Sequence, residues 1–65
     1  MTKENMIMNM PNDPVMLLSY INTLLRDNYS SLDELSSSMG VDAEEISSRL
    51  EAIGYSYDAQ QNRFI

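Results

Sequence analysis

Sixty-five residues carry ten Asp and Glu against four Lys and Arg, a net charge of −6, and neither Cys nor His. That excludes disulfides, thiolate metal sites and the usual proton shuttle near neutral pH, and it opposes attraction to phosphate backbones or anionic lipid. A chain this short forms one domain, buries only about 60% of its unfolded surface, and has a partner subunit as its remaining stabilising aid.

The first ten residues, MTKENMIMNM, have neither a helical period nor a cap. Residues 1–10 read as a flexible arm. Met6, Met8 and Met10 also alternate with Ile7 and Asn9 as a short strand on a sheet edge would. Residues 11–65 form the domain proper. NDPV is a strong helix start, with Asp13 capping free N–H groups and Pro14 in the first helical position, where its missing donor costs nothing. The first helix is predicted over 14–27. Its apolar residues, from Met16 through Leu18 to Leu25, cover an arc of roughly 200°, wider than the stripe of about 100° on an ordinary surface helix. Part of that arc is expected to meet something outside the domain.

NYSS breaks this helix, and SLDE follows as a capping box of Ser31 and Glu34. The second helix is predicted over 32–39, burying Leu32, Leu35 and Met39, with Gly40 as its left-handed stop and Val41 plugging the turn. DAEE is a second capping box, Asp42 with Glu45. It opens a third helix over 43–53 whose narrow apolar face is Ala43, Ile46, Leu50 and Ile53, with Gly54 at its end. In YSYDAQQNRFI, Tyr55 and Tyr57 alternate with Ser56, Phe64 and Ile65 close the chain, and Asp58 and Asn62 are turn formers. The expectation is a β-hairpin with strands near 55–58 and 62–65. The fold class is therefore α+β, mainly α: three helices in a helix-turn-helix arrangement followed by a C-terminal hairpin. This layout resembles the winged helix-turn-helix fold over residues 14–65, with the third helix in the recognition position and the hairpin in the wing position.

Charge argues against reading DNA with that motif. A recognition helix sets its N-terminal residues against base edges, with basic residues nearby on phosphates. Here those positions hold Asp42, Glu44, Glu45, Ser47 and Ser48. From Ser30 to Gly54 there are six acids and one base, a net charge of −5, whereas DNA affinity comes largely from Lys and Arg on phosphates. Arg49 lies four residues after Glu45 and forms an ordinary helix-surface pair. Arg63 sits in the wing, where one arginine is more simply solvated than bound to a phosphate.

Catalysis has as little to stand on. Many serines are present, but no His activates one, and the single Lys is Lys3 in the arm. The adjacent acids Asp33/Glu34 and Glu44/Glu45 point about 100° apart on a helix and read as caps and solubilising charge. No ordered ladder of oxygens marks a calcium loop. No enzyme, cofactor or metal is expected. No apolar run nears the roughly 20 residues of a membrane span, and no signal peptide is evident. The protein reads as cytoplasmic.

The strings PNDPVMLLS, NTLLRDNYSSL and GYSYDAQQNRF resemble the shared stretches of a family of short bacterial proteins classed as a domain of unknown function. The likeness runs from Met8 to Phe64, which places a natural start at Met8 and makes residues 1–7 an extension. The family carries no assigned activity, so the resemblance implies identity and no mechanism. Most of these stretches have structural readings, NDP as a helix start and GY as a helix stop before a strand. Asn22 and Arg26 share the polar side of the first helix; they either tie it to the hairpin by hydrogen bonds or form a recognition patch. The functional expectation is a non-enzymatic protein-interaction or regulatory module acting on a protein partner or on a second copy in a homodimer. The interaction surface is expected to include Met16, Tyr20, Asn22, Arg26, Arg49 and Arg63. The alternative is a dimeric DNA-binding regulator that gathers Arg26, Arg49 and Arg63 from two chains.

Overall fold

A computed structural model describes residues 10–65. The reading of an arm, or a strand, over residues 1–9 lies outside them. Met10, the last residue assigned to that arm, is half-buried and packs against the core.

Three helices, α1 (Pro14–Asp27), α2 (Leu32–Met39) and α3 (Ala43–Glu51), precede an antiparallel hairpin of β1 (Tyr57–Asp58) and β2 (Arg63–Phe64). The domain is thus α+β and mainly helical. Each helix begins where a short polar side chain takes over a free backbone N–H. Asp13 accepts from Val15, Ser31 from Glu34 and Asp42 from Glu44. Gly40 ends α2 in the left-handed conformation at φ 69°, so the N–H groups of Gly40 and Val41 both reach the Ser36 carbonyl.

Both capping boxes differ from expectation. Glu34 reaches past Ser31 to the N–H and hydroxyl of Ser30, each at 2.8 Å. Asp42 has no reciprocal partner in Glu45, because Glu45 is drawn along the helix to Arg49 at 3.1 Å. Two boundaries also move. The helix α3 stops at Glu51, and the chain tightens into i→i−3 bonds from Ile53 to Leu50 and from Gly54 to Glu51 before Gly54 turns at φ 90°. Tyr55 is not a strand residue, since its N–H goes to the Leu50 carbonyl at the helix end. Ser56 and Ile65 still exchange two 2.9 Å bonds that extend the ladder beyond β1 and β2.

The core is wholly apolar. Leu17, Ile21 and Leu25 come from α1, Leu32 and Leu35 from α2, Ile46 and Leu50 from α3, and Phe64 from β2. No buried side-chain polar atom among the described residues lacks a partner. The expected wide apolar arc of α1 divides into three parts. The i, i+4, i+8 line is fully buried, Leu18, Tyr20 and Leu24 are half-buried, and Val15 and Met16 stand 63% and 60% exposed.

Candidate functional site

The surface that gathers three of the six singled-out residues is where α1 meets the hairpin. Its geometry is set by two asparagines. Tyr57 and Phe64 face each other across the ladder, with ring centroids 5.4 Å apart and planes inclined by 54°. The flanking pair, Ser56 and Ile65, exchanges its bonds inward, so the Phe64 peptide groups point away from β1. There they meet Asn22. The Phe64 N–H donates to Asn22 Oδ1 at 2.8 Å, and Asn22 Nδ2 donates to the Phe64 carbonyl at 3.1 Å. A single amide on a helix thus does what a neighbouring strand residue would do, and it closes that edge of the hairpin.

Asn62 supplies the second tie, which sequence reading placed only as a turn former. It adopts φ 56°, a left-handed conformation that asparagine tolerates better than most residues. From there its Nδ2 donates to the carbonyls of Leu25 and Tyr29, at 3.1 and 3.0 Å. Those carbonyls lie at and just beyond the end of α1, where helix geometry leaves acceptors unpaired. Asn62 Oδ1 accepts from the Tyr57 hydroxyl at 2.7 Å, and that hydroxyl oxygen accepts from the Leu32 N–H at 3.2 Å. One chain of bonds therefore joins the end of α1, the start of α2, β1 and the hairpin turn. Asp58 completes the turn by accepting from the N–H of Gln60 at 2.9 Å.

Beside these ties lies an open groove of ≈ 770 Å³ whose lining includes Val15, Leu18, Asn22, Leu25, Arg26 and Arg63. Of the six expected interaction residues, the structure brings Asn22, Arg26 and Arg63 together here and separates the others. Asn22 ties α1 to the hairpin, one of the two roles its position allowed. Arg26 does not reach the hairpin, because its Nε and Nη2 hold Asp27 at 2.9 and 3.1 Å. That bidentate contact raises the guanidinium's pKa and holds the Asp27 carboxyl below its ordinary value. Met16 is exposed on the first turn of α1, and Tyr20 is half-buried against the core. Arg49, paired with Glu45, lines a different groove with Met10, Asp42 and Glu45. Val15 was not singled out from the sequence. It was absorbed into the apolar arc of α1, and only the folded packing shows which side of that arc stays uncovered.

No cluster of three Asp or Glu that could hold a metal ion occurs among the described residues. None of their helices is long and apolar enough to cross a membrane. Ser47, Ser48, Glu44 and Glu51 face a shallow depression on α3 that contains acids and no base.

A small, mainly helical α+β domain with a hairpin stitched to its first helix is the class these features define. The chain belongs to the family described as Domain of unknown function (DUF4250), whose model matches residues 11–64. No curated protein and no solved structure matches it.

Proposed function

We propose that this chain is a non-catalytic interaction module that binds another protein chain through the outward face of α1. The observation that carries the reading is the exposure of Val15 and Met16, 63% and 60%, on a helix whose other apolar residues are in or against the core. Large exposed apolar side chains that adjoin one another are a common mark of a contact surface. The chain also lacks His and Cys, which leaves its serines without an imidazole base. The DNA-binding alternative has weaker support. It needs Arg26, Arg49 and Arg63 on one surface, and Arg49 lines a different groove from the other two. The exposed side of α3 adds Glu44 and Glu51 where phosphates would have to approach.

A photo-crosslinking amino acid placed at position 16, with position 37 as an exposed control on α2, tests the reading in the source cell. The expected result is a discrete protein adduct from position 16 and none from position 37. An adduct of twice the chain's 7.4 kDa identifies a second copy as the partner, and a larger one a different protein. Equal, diffuse labelling from both positions would sink the proposal.

A further inference from the structure

We infer that the groove between α1 and the hairpin takes an amphipathic segment of another protein, anchored by apolar side chains and by a carboxylate held between Arg26 and Arg63. The inference rests on the interaction-module reading and names the chemistry of its partner.

Charge complementarity selects this occupant. The chain has ten acids and four bases, yet this groove is lined by two arginines and no carboxylate. The groove beside α3 that holds Arg49 also holds Asp42 and Glu45, and the depression on α3 holds two acids and no base. Arg63 has no ion-pair partner among the described residues. Arg26 spends two of its five N–H donors on Asp27, which lies outside the groove. The guanidinium planes suit a carboxylate, which accepts from Arg in a charge-assisted fork.

The rest of the lining fixes what surrounds that carboxylate. Val15, Leu18 and Leu25 give an apolar floor. The amides of Asn22 and Asn62 are already committed to backbone groups, so they offer a ligand little beyond shape. A volume of ≈ 770 Å³ holds a few side chains. A nucleic acid fits less well. Its phosphates repeat along the strand and would run from two arginines onto a surface of net negative charge. A single carboxylate flanked by Leu, Met or aromatic side chains needs only the local pair.

Selection of random twelve-residue peptides displayed on phage against the full 65-residue chain tests this. Selected peptides are then made synthetically and mapped by amide NMR shifts. The expected consensus is one Asp or Glu with apolar residues three or four positions away, and shifts concentrated at Val15, Arg26 and Arg63 and at Ser19 and Gln61, which also line the groove. The double variant Arg26→Gln/Arg63→Gln, checked for fold by circular dichroism, should bind the selected peptides ~10-fold more weakly or worse, the loss expected for charge-assisted bonds. A consensus without acids, or shifts centred on α2 or α3, overturns the groove assignment and leaves the interaction-module reading standing. Selection of no peptide, with no adduct from position 16, overturns both. A single-stranded or duplex oligonucleotide that binds through the same two arginines more tightly than any selected peptide overturns the carboxylate in favour of phosphate.

Discussion

At the scale of single residues, two asparagines decide how the hairpin sits on the helices. Asn22 is matched to one peptide unit, because its amide offers one acceptor and one donor to the N–H and C=O of Phe64. Asn22→Ala leaves both groups without a protein partner at a half-buried site. A loss of about 1–3 kcal/mol is expected by urea denaturation, the usual cost of an unmet buried polar group. Asn22→Asp is the sharper test. Its carboxylate can still accept from the Phe64 N–H but presents only acceptors to the Phe64 carbonyl, so it should be no more stable than the alanine variant. If aspartate restores wild-type stability, the bond to the carbonyl contributes nothing. The chain allowed Asn22 two roles, a tie to the hairpin or a recognition patch, and only the fold selects the tie. Asn22 and Phe64 are 42 positions apart, and a polar residue on the polar side of a helix looks the same whether it meets solvent or a strand. Asn62 was read correctly as a turn former because that property is local. Its reach to the Leu25 and Tyr29 carbonyls exists only once the hairpin has docked.

At the scale of elements, starts and stops were largely legible, for the same reason of locality. Asp13 with Pro14, Ser31 and Gly40 act within a turn of their own positions, and each acts as its residue type dictates. The predicted extents of α1 and α2 match the folded ones. The errors fall where two elements compete for one backbone group, as at Tyr55, whose N–H is taken by the end of α3. The cap of α2 has a consequence for pH. The Glu34 carboxylate is held below its ordinary value of 4.5, first by the Ser30 N–H and then by the Ser30 hydroxyl. A folded value lower than the unfolded one means that its stabilisation is complete above pH 4.5 and is lost as pH falls through the folded value. Glu34→Gln can still accept from Ser30 but does not titrate. The gap in melting temperature between wild type and Glu34→Gln should therefore be widest near neutral pH and close on acidification. Asp27, also held low by Arg26, titrates in both proteins and cancels from the comparison. A gap that stays constant down to the acid limit would remove Glu34 as the titrating cap.

At the scale of the whole molecule, the eight buried side chains among the described residues and the half-buried ones packed against them stabilise the domain, whereas the exposed Val15 and Met16 add little to the isolated fold. Leu50 and Met16 separate these two roles. Leu50 is fully buried where α3 packs into the core, and Met16 is 60% exposed on α1. Leu50→Ala should cost about 2–5 kcal/mol. Total stability runs to only 5–15 kcal/mol for ordinary domains, and nearer the lower figure for one this small. The variant should accordingly lose between two fifths and all of its stability and melt well below the wild type by circular dichroism. Met16→Ala should change stability by no more than about 0.5 kcal/mol, as surface substitutions do. That near-neutrality must hold at micromolar concentration, where a weak self-association would be absent. If the outward face of α1 is closed by a second copy, the wild-type melting temperature should rise with protein concentration, because a partner that binds only the folded form stabilises it by mass action. Met16→Ala should flatten that rise. A concentration-independent wild type rules out a second copy on this face, and a large loss from Met16→Ala in the dilute monomer would show that Met16 belongs to the core and that α1 has no outward face to offer.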